Sequence, residues 1–174
     1  MENATFLQKL KHINLEPVVK KLMCSRSGHG WEAKKTKVAV NRYCMFLYVS
    51  HLYPYVQLVP TEEIDKVWHT HILIDTLNYI QDCQYLFGYI LHHRASSALI
   101  DAVEQQNQNI AFATTQRLFE QIFGTGILVD NTQSAPCMVL PMDTGLEMSA
   151  CMVLPNACVT IPNEYQFLER MANG

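Results

Sequence analysis

Apolar residues in the first half of the chain recur at three- and four-residue steps, the period of a helix that buries one face. Over residues 6–23 they are Phe6, Leu10 and Ile13, then Val18, Val19 and Leu22. Pro17 stands where a first helical turn tolerates proline, and Asn14 just upstream can cap that turn. Residues 25–30 contain two glycines and break the pattern. A second helix is predicted over residues 32–51, with Val40, Tyr43, Cys44, Leu47 and Ser50 on one buried stripe. Tyr53-Pro54-Tyr55 stops it, because a residue before proline avoids helical backbone. Residues 56–59 read as extended.

Pro60-Thr61-Glu62-Glu63 opens a third helix: Thr61 can cap free N–H groups, and Glu62, Glu63 and Asp65 complement the positive end of the helix dipole. The helical pattern runs on over residues 64–92, with a bend near Thr76. Ile64, Val67, Trp68, His71 and Ile72 form its first stripe; Tyr79, Cys83, Leu86, Phe87, Ile90 and Leu91 form the next. A further helix ends at Gly124 with Phe112, Thr115, Phe119, Ile122 and Phe123 on one face. The polar residues 105–109 before it are either a loop or an exposed turn of that helix.

Beyond Gly126 the pattern changes. Pro136-Cys137-Met138-Val139-Leu140-Pro141 is nearly repeated as Ala150-Cys151-Met152-Val153-Leu154-Pro155, and more weakly as Ala157-Cys158-Val159-Thr160-Ile161-Pro162. Short apolar runs bracketed by proline, with Asp143-Thr144-Gly145 as a turn, read as short strands confined to edges. A last short helix is expected over residues 163–172. The pattern therefore predicts a mainly α protein: a compact bundle of about five helices over residues 1–126, with residues 127–174 as an extended or hairpin strap packed on the same domain.

At 174 residues the chain can bury a core without disulfides or metal. A net charge of −3 argues against a general nucleic-acid binder, which carries a basic excess. The one basic cluster, Lys34, Lys35, Lys37 and Arg42, reads as the solvated start of a helix. No stretch approaches the roughly 20 apolar residues of a membrane span. The first ten residues lack a basic segment followed by an apolar one, so a cytoplasmic protein is expected, with leaderless translocation left open. The six cysteines form no C-x-x-C pair, so neither a zinc ribbon nor a thioredoxin-type redox site is indicated, and free buried thiols are the default.

Chemistry-bearing residues concentrate between Asp65 and His93. On a helix Asp65 and His69 are four apart, as are His71 and Asp75, and Tyr79 and Asp82 extend the second row. A carboxylate one turn from an imidazole fixes the tautomer of a ligating histidine. His92 and His93 close the region, and a bend would return one of them toward His69 or His71. Two histidines with a carboxylate or thiolate suit zinc or another divalent transition metal, which makes His69, His71, Asp82, Cys83, His92 and His93 candidate ligands, supported by Asp65, Asp75, Trp68 and Tyr79. Against this, His69 and His71 sit about 200° apart around a helix and cannot face one ion undistorted. The competing reading makes His71 a hydrogen-bonded core residue beside Trp68 and pairs His69 with Asp65 at the surface. Cys83, on an apolar stripe with Tyr79 and Phe87, reads as a buried inert thiol unless a histidine stands next to it.

The motif Val67-Trp68-His69-Thr70-His71, followed by Tyr79, Asp82-Cys83, Phe87-Gly88 and Leu91-His92-His93, resembles the glycine-rich domain-containing protein-like family. The resemblance extends to Gly28-His29-Gly30-Trp31, Tyr53-Pro54, Leu58-Val59-Pro60 and the stretch from Ala111-Phe112 to Phe123-Gly124, about residues 15–125. It implies a helical fold, singles out His69, His71, Asp82 and Cys83, and implies no reaction. Two departures from the resembled pattern stand out: one extra residue between His71 and Tyr79, which would bulge the helix or rotate Asp82 and Cys83 relative to His71, and the tail with its Cys-Met-Val-Leu-Pro copies.

Three functions compete. The first is an interaction or scaffold module, its His/Asp/Cys centre pinning the helices and its tail offering strand edges or a Met-rich surface to a protein partner or a second copy. The second is a metal-binding or metal-dependent domain of zinc type. The third is a tail whose Cys137, Cys151 and Cys158 are modified or capture metal.

Overall fold

Every side chain from Tyr43 to Ser50 is buried, all the way around one helix. That helix, α3 (Ala33–Leu52), is the axis of the fold: α1 (Glu2–Leu10), α2 (Glu16–Met23), α4 (Glu62–Ile74) and α6 (Ala102–Phe123) all pack on it, while α5 (Thr76–Phe87) packs on α1 and α4. The computed structural model describes residues 2–95, 102–128 and 133–139, and among these the six helices are joined by two short strands, β1 (His93–Ala95) and β2 (Cys137–Val139). The protein is mainly α, with a small antiparallel pair of strands, as the pattern predicts.

The buried surface of α3 goes beyond the predicted single stripe. A helix apolar on all sides belongs in the interior, and here Phe46 meets Trp68 of α4 while Tyr48 meets Phe6 of α1 and Phe123 of α6. Burying side chains of this size stabilises by about 1.5–3 kcal/mol each. Ser50, buried in the same run, satisfies its hydroxyl on the Phe46 carbonyl at 2.9 Å. Arg42 also departs from the expected solvated cluster. Lys34, Lys35 and Lys37 are exposed, whereas Arg42 is largely enclosed, pairing with Glu63 at 3.0 Å and donating to the Ile127 carbonyl at 3.1 Å.

The helix predicted over residues 64–92 is two helices, and it stops earlier. Asp75 takes extended backbone (φ −155°, ψ 97°) and its carboxylate accepts from the Asn78 N–H at 3.1 Å, so it caps α5 instead of continuing α4. Gly88, at φ +80°, ends α5 in the left-handed conformation that glycine adopts without steric cost. Residues 89–92 then run back, and β1 returns His93 to the flank of α4. At the start of α4, Thr61 caps as predicted, accepting from the Ile64 N–H at 3.3 Å. Residues 105–109 belong to α6, and Gln108 within them is buried, donating to the Ala135 carbonyl at 2.8 Å.

The first Cys-Met-Val-Leu-Pro copy pairs with distant segments. β2 runs antiparallel to β1, with His93 opposite Val139 and Ala95 opposite Cys137. Its other side lies along residues 58–62: Val139 N–H donates to Leu58, Ala135 N–H to Pro60, and Glu62 N–H to Gln133. This corrects the expectation of an edge strand, for β2 is bonded on both sides; Pro136 stands just outside it and removes no ladder bond. Cys137, Met138 and Val139 are all buried. The second and third copies, the intervening turn and the helix expected over 163–172 lie outside the described residues.

Between α2 and α3 the chain turns through Gly28, whose backbone packs against α2 so closely that a Cβ there would lie 1.7 Å from the Lys21 carbonyl oxygen. Gly28→Ala is therefore expected to destabilise the protein by about 3 kcal/mol, the upper end for overpacking. Urea unfolding measures this, and an unchanged midpoint would refute the close approach.

Candidate metal centre

Two polar clusters flank Trp68, one on each side of α4. The first is built from a helix and two strands. Asp65 and His69 stand one turn apart on α4, and the β1–β2 ribbon brings His93 and Cys137 against them. His93 Nε2 is 2.7 Å from Asp65 Oδ1 and 2.9 Å from His69 Nε2; His69 Nε2 is 3.6 Å from the same carboxylate oxygen. Cys137 donates its thiol proton to that oxygen at 2.8 Å. One atom of each of Asp65, His69 and His93 therefore lies within 4.8 Å of the others. Neighbouring donors on a tetrahedral zinc ion with bonds of 2.0–2.1 Å would be about 3.3 Å apart. The observed edges of 2.7, 2.9 and 3.6 Å reach that spacing with shifts of roughly half an ångström.

Burial differs across this cluster. The side chains of Asp65 and His93 are 13% and 10% exposed, whereas that of His69 is 49% exposed. His69 also lines a cavity of about 610 Å³ with Lys21, Gly28, His29, Thr70 and Leu73, so the cluster has a path to solvent. Burial pushes the Asp65 carboxyl up, but the hydrogen bonds from His93 and Cys137 and the neighbouring imidazoles outweigh it and hold the group below the usual range. Burial and the adjacent carboxylate raise the Cys137 thiol well above its ordinary value. The Trp68 and His93 rings pack in a T-shaped contact with their centroids 4.6 Å apart.

The second cluster lies in the core. His71 Nδ1 is 2.9 Å from the Tyr43 hydroxyl and Nε2 is 3.1 Å from Asp82 Oδ2. A carboxylate only accepts, so Nε2 carries the proton and Nδ1 accepts from Tyr43. Both ring nitrogens are thereby used. Burial lowers the affinity of His71 for a second proton, against the opposing pull of Asp82. Trp68 Nε1 donates to the Tyr79 hydroxyl at 2.9 Å, and Tyr79 donates to the Leu91 carbonyl, tying the return toward His93 to the core. Cys83 is buried beside Tyr79, and that burial raises its thiol.

The sequence-predicted residues thus divide. His69 and His93 come together with Asp65, and His71 joins Asp82, Tyr43 and Tyr79, with Cys83 adjacent. His92 is exposed and enters neither cluster, and Asp75 serves as a helix cap rather than a partner of His71. The sequence offers Cys137 only as a tail cysteine for modification or metal capture, and its meeting with Asp65 depends on a pairing 72 residues distant that no local pattern announces. The place of Tyr43 on a buried stripe likewise does not show its bond to His71.

The sequence profile of the glycine-rich domain-containing protein-like family matches residues 21–77. Glycine-rich domain-containing protein 1 of Arabidopsis thaliana is 33% identical over 91 residues, which cover 50% of this chain and 11% of that protein. No solved structure matches the chain. Residues 21–77, which hold α3, α4 and the motif with Asp65, His69 and His71, are thus the part of this chain that is similar to the glycine-rich domain-containing protein-like family.

Proposed function

We propose that this chain is a helical domain that binds a divalent transition metal of zinc type through Asp65, His69 and His93, while the His71 cluster is architecture. The convergence of two imidazole nitrogens on one buried carboxylate oxygen carries this reading. Imidazole and carboxylate donors with this spacing suit zinc and its first-row neighbours better than calcium or magnesium, which take mainly oxygen ligands. His71 has both ring nitrogens bonded to core groups, Tyr43 and Asp82, and joins no cluster of three donors among the described residues.

A second reading, an interaction module, is favoured by Leu73 and Leu77, which are 76% and 64% exposed on either side of the Asp75 break. Single exposed leucines are common, so this observation weighs less than the donor cluster.

Protein purified without an affinity metal and titrated with zinc should bind one equivalent. At an excess of about 100 times Kd, the linkage adds about 2.7 kcal/mol, which raises Tm by roughly 5–10 °C at 2–4 °C per kcal/mol. His69→Ala, at a half-exposed position, should keep the fold and lose most of that shift; no bound zinc and no shift in the wild type would sink the reading.

His71→Ala should behave in the opposite way. It strands the Tyr43 hydroxyl and the Asp82 carboxylate, so unfolding by urea should show a loss of about 2–4 kcal/mol, with zinc stoichiometry unchanged in the protein that remains folded. Loss of zinc from folded His71→Ala would place that residue in the site instead.

A further inference from the structure

We propose that Cys137 is the fourth donor of this centre, so that a bound metal closes its shell with four protein ligands and fastens the segment 133–139 to helix α4. The inference rests on the metal-binding reading above and adds to it a ligand and a structural consequence.

The register of the ribbon carries the argument. Cys137 lies opposite Ala95, and side chains alternate along a strand, so Cys137 shares a face with both Ala95 and His93. That face meets α4 where Asp65 and His69 stand. The result is two donors from one helical turn and two from one sheet face, around a single carboxylate oxygen contacted by His93 at 2.7 Å and by Cys137 at 2.8 Å. Cys137 is 1% exposed, so no solvent competes for its sulfur. With a metal–sulfur bond of about 2.3 Å, sulfur and a neighbouring oxygen donor would be about 3.5 Å apart. The thiol contact with Asp65 opens by roughly 0.7 Å, and the sulfur moves in toward the two imidazoles, since only the Asp65, His69 and His93 donor atoms lie within 4.8 Å of one another before an ion binds. On binding, the Sγ–H proton leaves to solvent, a metal–sulfur bond forms, and no electron changes hands.

Four protein donors are the mark of a structural site, whereas a site that works on substrate keeps a position open. Closure here joins residues 72 apart in sequence, Asp65 and Cys137. It also reinforces a segment otherwise held to the body by backbone bonds to Leu58, Pro60 and Glu62, the pairing with β1 and the Gln108 side chain. The cation replaces the thiol proton as the group that satisfies Asp65, and the strap becomes part of the helical body.

Cobalt(II) added to the metal-free full-length chain tests this directly. The wild type should bind one equivalent, with the intense visible bands of tetrahedral cobalt and a near-ultraviolet sulfur-to-cobalt charge-transfer band. Cys137→Ser should still bind, roughly 100-fold more weakly or worse, without the charge-transfer band. Amide exchange at residues 137–139 should slow on cobalt addition in the wild type and not in the variant. X-ray absorption of the zinc-loaded wild type needs no variant and should show one sulfur at about 2.3 Å. Bound metal with no sulfur neighbour, or the same charge-transfer band in Cys137→Ser, overturns Cys137 as ligand and leaves the three-donor site standing. Failure of the wild type to bind either metal overturns the metal reading as a whole.

Discussion

The structure turns on a carboxylate that is out of water. Asp65 lies on the inward side of α4, almost fully enclosed, and an ionised carboxylate there costs several kcal/mol unless hydrogen-bond donors reach it. Those donors come from the two strands, not from the helix bundle. His93 arrives because α5 ends at Gly88 and the chain doubles back, and Cys137 arrives because residues 133–139 lie between residues 58–62 and β1. A slip of one residue in that ribbon would turn Cys137 to the opposite face and leave the carboxylate short of a donor. Asp65 therefore selects the register of a sheet too short to define it by its own ladder.

The two histidines of the Trp68-His69-Thr70-His71 motif serve different neighbourhoods because the helix sends them to opposite sides. His71 points inward to Tyr43 and Asp82, with both nitrogens paired, and holds α3, α4 and α5 together. His69 points to the solvent cavity and the ribbon. Trp68 connects the two sides: its indole N–H reaches Tyr79, which holds the Leu91 carbonyl, and its ring packs in a T-shaped contact with His93. The core network thereby positions one member of the donor cluster without itself offering a ligand atom.

Most helices were legible because their signals are local. Pro17, the Thr61 cap and the apolar period of residues 32–51 each act within a turn or two of chain. The break at Asp75 was harder to read, since a helical stripe continues on either side of it and only the cap bond from Asn78 shows that the aspartate favours an N-cap over a helix interior. That break also lets α5 bring Asp82 within 3.1 Å of His71, so neither a bulge nor a rotation separates the two. The all-round burial of α3 was hidden because Met45, Phe46, Tyr48 and Val49 lie off the stripe of Tyr43, Cys44, Leu47 and Ser50, and only the helices around them decide whether that far face is covered. The pairing of β2 depended wholly on distant partners.

The matched segment, residues 21–77, carries Asp65 and His69 but neither His93 nor Cys137. The helical wall of the cluster is thus the part shared with the family profile, and the strand wall is supplied from beyond it. An i, i+4 pair on one helix turn leaves a flexible exposed imidazole and a carboxylate that a single solvent-facing ion would hold weakly, because water competes for every position. Bringing a sheet face over that pair removes the water and adds donors whose positions the backbone ladder already sets. In this chain the affinity of the centre would therefore reside less in the motif itself than in the order of the ribbon that covers it, and the ribbon is ordered by the same carboxylate.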